Sequence, residues 1–508
     1  MNKSFFTKWS FLFKIRLFFG VFLFIIIGAF LYFKVVPFGQ ITYSRTYPEF
    51  IKSGKGFIYG FTPTQRVDLK SGTYPKLSGD PVYFSVFTPR TFDQAKLTIT
   101  YRNNLSAPEP IIEAGVLTDK IVWHYDLKPV QNDVIDNLKK SWSVLKNGSK
   151  ILLQKNNTYS SWADLEADLN KGTLKDCPGG INACLATYNY EIPSFYQPAD
   201  FRNSLPLVID TPLRGAHQLY IYLNNAPLHL EFSFINLRQD KVADPITVNL
   251  YDVNDHNKLI VTKYLADDRK DLNAPTADSI AEKIIIDENL KNGLYKVEIK
   301  VRDDTVIKRI ESSADKLVFI NKVWPVSASL PLSLWTDAPY LQAKLYSPAS
   351  RQTINFSGED FILDKAYEQT DLIAHNPTST AEIKLVKDDV ILENNGVFAF
   401  SKGSLFNPVP KKIDRFFKLN NNIKYVLADY EAPLSYTEPE FKTQTVELNT
   451  KAAYREAGKY SFMLSIPGLK SSDISGDTAS SADNLEIKEI KIDFSGRTLW
   501  QKLFALNN

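Results

Sequence analysis

The sequence has few of the residues on which common enzymatic and metal chemistry depends. Its 508 residues include five histidines and two cysteines. It contains no G-x-S-x-G elbow, no H-E-x-x-H zinc helix and no P-loop. Ser143-Val-Leu-Lys146 fits the S-x-x-K pattern, but the S-D-N and K-T-G triplets that accompany it in β-lactamases are missing. We therefore predict no catalytic residues and no cofactor, and we favour a non-enzymatic protein.

A large excess of charge of either sign is also lacking. The formal net charge is +3, and six of the 60 basic residues lie in the first 48 residues, where there is no acidic residue. The rest of the chain therefore carries 54 basic against 57 acidic residues. Because a protein that binds nucleic acid through its phosphates needs a basic surface, we expect no nucleic-acid partner.

One long uncharged run lies near the start of the chain. Leu17 to Phe33 has no formal charge over seventeen residues, which at ~1.5 Å per residue is the short end of what spans a ~30 Å hydrocarbon core. Four basic residues and no acid precede it, so the positive-inside rule predicts a cytoplasmic N-terminus. We predict a basic tail over 1–16, a membrane anchor over 17–36 and an extracytoplasmic remainder. A cleaved signal peptide is the alternative, although Phe-Lys-Val-Val-Pro follows the run instead of small residues.

The two cysteines bracket a short loop. Cys177 and Cys184 enclose Pro-Gly-Gly-Ile-Asn-Ala, a spacing that matches neither the usual zinc ligands nor a C-x-x-C redox motif. In an oxidising compartment such a pair can close the loop as a disulfide. We predict this disulfide, with two unpaired structural cysteines as the alternative.

Alternation of apolar and polar residues with a period of two dominates the rest of the chain. Tyr295, Val297, Ile299 and Val301 alternate with charged residues, as in a strand with one buried and one solvated face. Alternating runs on either side of residues 252–257 predict a β-hairpin. Short strands with frequent turns favour an all-β chain of tandem β-sandwich modules, Ig-like or jelly-roll-like, over a parallel α/β sheet.

An internal similarity suggests two related modules. The motif Gly293-Leu-Tyr-Lys-Val-Glu-Ile followed by Ser313-Ala-Asp-Lys-Leu resembles Gly458-Lys-Tyr-Ser-Phe-Met-Leu followed by Ser481-Ala-Asp-Asn-Leu. We expect the same pair of strands to close each module, with a linker near 325–331, unless the similarity is a coincidence. The predicted organisation is a juxtamembrane segment (37–75), a β-rich module (76–200), two β-sandwiches (201–325 and 326–495) and a short C-terminal helix (496–508).

Two segments of the first module have helical spacing. Residues 132–145 and 161–169 place apolar side chains on one helix face, so we predict a small helical insertion beside the cysteine loop. The same region contains Tyr188, Tyr190 and Tyr196. These rings could stack on a sugar, or they could form a small core under a long loop.

The predicted C-terminal helix is also amphipathic. Leu499, Trp500, Leu503 and Phe504 recur at helical spacing. We expect this stripe to pack on the last sandwich, with docking to a partner or a membrane as the alternative.

Strand register predicts one candidate ligand site. If Asn224 to Pro227 is a four-residue turn, the flanking runs form a hairpin in which Leu223 faces Leu228. The face turned away from the core would then carry a polar and aromatic strip consisting of Tyr220, Tyr222, His229 and Glu231. This strip could bind a sugar or a partner protein, or a neighbouring module could cover it.

A cluster of oxygen-bearing side chains lies in the turn of the other predicted hairpin. Asp252, Asn254 and Asp255 are spaced as in a calcium loop, but the glycine and the distal glutamate of an EF-hand are missing. Turn formation explains the same residues without an ion, so the calcium site is a weak candidate.

These features predict a single-pass, membrane-anchored surface protein that acts in adhesion, in glycan or envelope binding, or in assembly. A membrane-anchored glycan-processing enzyme and a scaffold subunit of an envelope complex are the alternatives. An acidic pair in a cleft within residues 132–196 would favour the enzyme, whereas a broad aromatic sheet face would favour binding. We expect the membrane, and a glycan or an envelope protein, as partners.

Overall fold

The computed structural model describes most of the chain. The described residues are 3–35, 39–47, 57–69, 73–107, 109–177, 181–193, 206–224, 227–237, 245–255, 257–266, 282–326, 329–375, 380–435, 440–469 and 483–496.

The fold is all-β after an N-terminal helix. The helices are α1 Lys3–Val35, α2 Asp133–Leu138, α3 Trp162–Asn170 and α4 Ile181–Cys184, with 3₁₀ turns at Thr64–Arg66, Pro348–Ser350 and Lys402–Ser404. The strands in the first half are β1 Gly39–Thr46, β2 Val67–Asp68, β3 Lys76–Leu77, β4 Val82–Phe87, β5 Gln94–Asn104, β6 Ile111–Asp119, β7 His124–Asn132, β8 Ser143–Asn147, β9 Lys150–Gln154, β10 Leu185–Tyr188, β11 Leu207–Ile209, β12 Leu213–Arg214, β13 His217–Leu223, β14 Leu228–Asn236, β15 Ile246–Asp252 and β16 Lys258–Leu265. Those in the second half are β17 Glu282–Glu288, β18 Gly293–Lys300, β19 Thr305–Ser312, β20 Lys316–Val323, β21 Leu332–Thr336, β22 Tyr340–Leu345, β23 Gln352–Phe356, β24 Glu359–Leu363, β25 Gln369–Ile373, β26 Ala381–Leu385, β27 Val390–Ala399, β28 Lys411–Lys412, β29 Tyr425–Asp429, β30 Leu434–Ser435, β31 Lys442–Asn449, β32 Arg455–Glu456, β33 Lys459–Ser465 and β34 Asn484–Gly496.

Helix α1 is long and apolar enough to cross a membrane. Its segment Phe13–Phe30 has a mean hydropathy of 2.2, and no residue of that segment is buried against other parts of the protein. An uninterrupted apolar helix is what a bilayer requires, because all its backbone groups are hydrogen-bonded internally. A signal sequence near an N-terminus meets the same criteria of length and composition, so both an anchor and a signal sequence fit this helix.

The chain divides into two compact units. Residues 1–137 and 431–508 form unit 1, and residues 138–430 form unit 2. Unit 1 is a sandwich of two antiparallel sheets. The first has the order β2-β3-β34-β5-β31-β30 with β1 beside β34, and the second has the order β32-β33-β6-β7 with β4 beside β33. Alternate residues of both sheets point inward, so that Phe84 and Phe462 share one core with Leu97 and Ile490.

Unit 2 contains a second sandwich. One sheet has the order β11-β19-β14-β17, with β12 beside β19. The other runs from β16 through β15, β18, β13, β20, β27, β21, β26 and β23 to β24, and it also includes β22 and β25. Leu219 and Ile221 of the larger sheet meet Phe232 and Phe234 of the smaller one in a continuous core.

A small mixed sheet completes unit 2. Its order is β28-β10-β29-β9-β8, and β10 is parallel to both β28 and β29. Helix α3 begins at Ser161, whose side chain accepts a hydrogen bond from the Asp164 amide and so satisfies one unpaired donor of the first turn. Trp162 and Leu165 are buried on its inner face, as the helical spacing of 161–169 predicts.

The predicted series of consecutive modules differs from this division. Segment 37–75 is not an extended linker in its described parts, because β1 pairs along its whole length with β34 and because Ile58 and Phe61 are buried in the core of unit 1. The predicted linker near 325–331 does not separate two sheets either. Strand β27 pairs with both β20 and β21, so one sheet continues across that boundary. The predicted C-terminal helix lies outside the described residues apart from Gly496, which ends β34.

The internal similarity does not reflect equivalent strands. In unit 2, β18 and β20 lie in one sheet on the two sides of β13. In unit 1, β33 and β34 belong to different sheets. The prediction that the same strand pair closes each module is therefore wrong, and the shared pattern reflects only the alternation that strands of this kind require.

Two local predictions have opposite outcomes. The hairpin around residues 252–257 is confirmed, with β15 antiparallel to β16. The helix over 132–145 is mostly wrong, because α2 ends at Leu138 and Leu145 lies in β8, opposite Leu152. The Gly148-Ser149 turn drives this difference, since Gly148 adopts a φ of 64° and closes the hairpin between β8 and β9.

Candidate functional site: an aromatic sheet face

The strip predicted from the first hairpin does not form. Strand β13 pairs with β18 and β20, whereas β14 pairs with β17 and β19 in the opposite sheet of the sandwich. The connection between the two strands therefore crosses from one sheet to the other. The predicted pairing of Leu223 with Leu228 is wrong, and the two tyrosines are separated from His229 and Glu231.

Each member of the predicted strip has other neighbours. Tyr222 is 6% exposed and packs with Val397 and Phe406, and Tyr220 is partly buried against the same cluster. Burial raises the pKa of Tyr220 to about 12, with a smaller contribution from the charge of Glu191. On the other sheet, His229 Nδ1 lies 2.6 Å from Asp287, and Lys283 lies 2.7 Å from Glu231. The four residues therefore do not present one ligand surface.

The tyrosines of the helical insertion are mainly packed. Tyr188 is 5% exposed, and its ring meets that of Tyr430 edge-on at 6.2 Å. Tyr190 packs against the small core around α3, and Lys150 Nζ lies 5.7 Å from its ring centre. Tyr196 lies outside the described residues.

Two acids of α3 are engaged in local hydrogen bonds. Asp168 accepts from the Tyr159 hydroxyl at 3.0 Å, and Glu166 accepts from the Trp162 indole at 2.8 Å. Asp168 therefore links α3 to Tyr159, and Glu166 fixes the Trp162 side chain of the same helix.

The cysteine loop and the candidate calcium turn both have local structural roles. The structure joins Cys177 to Cys184 by a disulfide with the Cα atoms 5.9 Å apart. Asp252 Oδ1 accepts hydrogen bonds from the amides of Asn254 and Asp255, which is an Asx-type turn. Across the described ranges, no group of three or more His, Cys, Asp or Glu side chains could hold a metal ion.

A broad aromatic surface occurs instead on the smaller sheet of unit 1. Val82, Phe84 and Val86 of β4 are buried, so the alternate residues point outward. β33 follows the same rule, with Tyr460, Phe462 and Leu464 directed inward. We call the outward surface the aromatic face, and its residues are Tyr59, Tyr83, Ser85, Phe87, Tyr125, Lys459, Ser461 and Met463.

Strand register brings these side chains together from distant parts of the sequence. In the pairing of β4 with β33, Tyr83 faces Met463, Ser85 faces Ser461 and Phe87 faces Lys459. Strand β6 lies on the other side of β33, and β7 lies beyond β6. Tyr59 is added at the opposite edge, where its amide donates to the Ser85 carbonyl at 2.8 Å.

The rings of this face lie close to each other and to polar groups. The Tyr83 and Tyr125 ring centres are 5.6 Å apart, and the rings are tilted by 38°. The Tyr125 hydroxyl lies 3.2 Å from the Ser461 hydroxyl. Lys459 Nζ lies 3.8 Å from the centre of the Tyr59 ring, a cation–π contact.

Gly115 is required beneath this face. A Cβ atom at this position would lie 2.3 Å from the Asp126 carbonyl oxygen and 2.8 Å from a Leu127 methyl group. The glycine thus permits the close approach of β7 to β6 that carries Tyr125 toward Tyr83.

Tyr83 and Tyr125 are neutral at physiological pH. Burial raises the pKa of Tyr83, and the neighbouring Tyr125 adds to the effect, while the positive charge of Arg66 opposes it. Burial also raises the pKa of Tyr125, and the Ser461 hydrogen bond partly offsets that increase. The hydroxyls of Tyr83 and Tyr125 therefore remain protonated and can both donate and accept hydrogen bonds.

The chemistry of the aromatic face is that of a binding surface. The partly exposed tyrosines of this sheet offer apolar ring faces for stacking and hydroxyls for hydrogen bonding. Its eight residues include no carboxylate, so the face does not itself contain the carboxylate pair of a typical glycoside hydrolase.

Part of this surface could have been found in the sequence. The alternation Val82-Tyr-Phe-Ser-Val-Phe87 already places Tyr83, Ser85 and Phe87 on one strand face. What the pattern could not reveal is that β33, more than 370 residues later, lies beside that strand. No local turn connects the two strands, so their register depends on the folded sandwich.

Comparison with known proteins identifies no family for this chain. No family model matches it, and no curated protein matches it. The dimeric latent PorU from Porphyromonas gingivalis is 11% identical, over 63% of this chain and 33% of that chain, with a TM-score of 0.16. The isomalto-dextranase of Arthrobacter globiformis T6 complexed with panose is 9% identical, over 47% and 36%, with a TM-score of 0.12.

A viral protein gives similarly low values. The VP2 subviral particle of infectious bursal disease virus is 8% identical, over 71% of this chain and 80% of that chain, with a TM-score of 0.13. The chain spans about a third of the length of PorU and of the isomalto-dextranase. At these TM-scores, none of the three carries an argument about function.

Proposed function

We propose that this protein is a membrane-anchored, extracytoplasmic glycan-binding protein and that the aromatic face of unit 1 is its binding surface. In this proposal α1 is an uncleaved anchor with its N-terminus in the cytoplasm, because four basic residues and no acidic residue precede the apolar run. The Cys177–Cys184 disulfide supports an oxidising location for the rest of the chain.

One observation carries the binding role. Tyr59, Tyr83 and Tyr125 are partly exposed on one face of the same sheet, which also carries the hydroxyls of Ser85 and Ser461. A sugar ring has apolar C–H faces and a rim of hydroxyls, so it matches a surface of tyrosine rings and hydroxyls. A protein interface is the other possible use of such a surface, and the experiment distinguishes the two.

The test is binding of the full-length protein, in detergent micelles, to a glycan array, with the same wells analysed by mass spectrometry for cleavage products. We expect saturable binding without cleavage. Tyr83→Ala and Tyr125→Ala should each weaken that binding by about 3- to 10-fold, which corresponds to the ~0.5–1.5 kcal/mol of an aromatic contact.

Tyr264→Ala is the matched control. Tyr264 is a tyrosine of β16 in unit 2 and is 61% exposed, so its removal changes a similar side chain elsewhere. Unchanged thermal unfolding in all three variants would show that the sandwich is intact. Equal affinities for Tyr83→Ala, Tyr125→Ala and the parent protein would disprove the proposed surface, and sugar cleavage would point to an enzyme instead.

A further inference from the structure

Strand pairing locates one end of unit 1 close to the end of α1. Strand β1 begins at Gly39, four residues after the last residue of α1, Val35. Four residues span at most roughly 14 Å even when fully extended. Because β1 is antiparallel to β34, with Gly39 opposite Gly496, β34 ends at the same place.

Three connections of the sandwich meet at this end. The loop from β4 to β5 reaches it because Gln94 lies opposite Ser495, and the Asp93 amide donates to the Ser495 carbonyl. The loop after β31 reaches it because the amides of Thr450 and Lys451 donate to the Asp93 carbonyl. The turn from β6 to β7 joins them through the hydrogen bond from the Tyr454 amide to the Leu117 carbonyl.

The β6–β7 turn projects two apolar side chains from this end. Trp123 is 65% exposed and Ile121 is 44% exposed. Trp123 also has a φ of 50°, a backbone conformation that bulky residues rarely adopt. Lys120 and Lys451 lie in the same group of loops, and Lys451 is exposed.

We propose that this end of unit 1, formed by Ile121, Trp123 and Lys451, rests on the lipid surface of the membrane that α1 spans. Tryptophan is enriched at the membrane–water interface, where its apolar ring and its indole N–H are both accommodated. Lysine is attracted to anionic headgroups. The inference rests on the proposed anchoring role of α1, because the short connection to Gly39 is what holds this end near the bilayer.

The sequence after β34 supports the same partner. Residues 497–508 follow directly from the end of β34, and they include Arg497, Trp500, Lys502 and Phe504 but no acidic residue. Basic and aromatic residues without acids are typical of segments that bind at a lipid interface. This composition therefore agrees with a lipid surface beside Gly496.

The contact can be measured on the full-length protein in vesicles made of equal parts of phosphatidylcholine and phosphatidylglycerol. An environment-sensitive fluorophore is attached to Trp123→Cys, and a nitroxide on the lipid headgroup serves as quencher. The matched control is Ala107→Cys, an exposed position beyond the other end of β5. Since β5 has eleven residues, this control lies roughly 30 Å farther along the strands. We expect several-fold stronger quenching at position 123 than at position 107.

Vesicle flotation separates the two ways in which the proposal can fail. If the protein floats with the vesicles but quenching is equally weak at both positions, the lipid contact is disproved while the anchor remains. If the protein does not float, the anchor is disproved, and this inference fails with it. Neither result bears on glycan binding by Tyr83 and Tyr125, which is measured separately in detergent.

Discussion

The pH dependence of unit 2 provides a sharp test of its packing through His217. This residue begins β13, is 3% exposed and has Nδ1 2.9 Å from the Gly215 carbonyl oxygen. Nδ1–H therefore donates to the Gly215 carbonyl. Nε2 is buried without a hydrogen-bond partner, so protonation would place an unsatisfied N–H in the core.

Burial lowers the pKa of His217 from 6.5 to about 3, and the charge of Lys322 adds to the effect. As the pH falls below 6.5, the unfolded chain takes up a proton that the folded chain does not bind until about pH 3. The stabilisation from a neutral His217 is thus complete above pH 6.5 and is lost toward pH 3. At about 1.4 kcal/mol per pH unit, unit 2 should lose about 2 kcal/mol between pH 7.5 and pH 5.

The variant for this test is His217→Asn, whose side-chain amide can still donate to the Gly215 carbonyl. The free energy of unfolding would be obtained at both pH values from hydrogen-exchange protection of β13 in urea. The smaller asparagine side chain should lower the free energy of unfolding by a similar amount at each pH. Burial raises the pKa of Asp337, but this residue is present in both proteins, so its effect is the same in each. The parent protein should therefore lose about 2 kcal/mol more than the variant, and an equal loss in the two proteins would refute the reasoning.

Two further predictions concern stability. Gly396→Ala should destabilise unit 2 by about 1–3 kcal/mol in urea unfolding, because the added Cβ would lie 2.3 Å from Asp337 Oδ1. The control is Gly403→Ala, whose Cβ would have no atom within 4 Å and which should leave the free energy of unfolding nearly unchanged. Replacing both Cys177 and Cys184 by serine should lower the free energy of unfolding by about 2.5 kcal/mol, since the closed loop is short. If the double serine variant is as stable as the parent protein under oxidising conditions, the stabilising role of the disulfide is contradicted.

The sequence predicted local structure best where one physical signal acted alone. The alternation of Tyr295, Val297 and Ile299 identified β18, because a sheet with one solvated face requires that period. The apolar spacing of residues 161–169 identified α3. Helix 132–145 was mispredicted because the turn at Gly148-Ser149 outweighed a helical spacing that was only approximate.

The sequence did not predict the residues of the candidate site. A broad aromatic sheet face was the feature expected of a binding protein, and such a face exists on unit 1. The predicted residues, led by Tyr220 and Tyr222, were different ones, because the pairing of β13 with β14 was inferred from their closeness in the sequence. Those two strands instead face each other across the sandwich core.

The amino-acid sequence by itself determined the apolar N-terminal helix, the all-β class, the faces of individual strands and the nearness of the two cysteines. Each depends on residues within about a dozen positions, where composition and periodicity act directly. Only the tertiary structure decided that β1 pairs with β34 and that β4 lies beside β33. Pairing between distant strands depends on how whole sheets bury their apolar faces, and local patterns do not encode that choice.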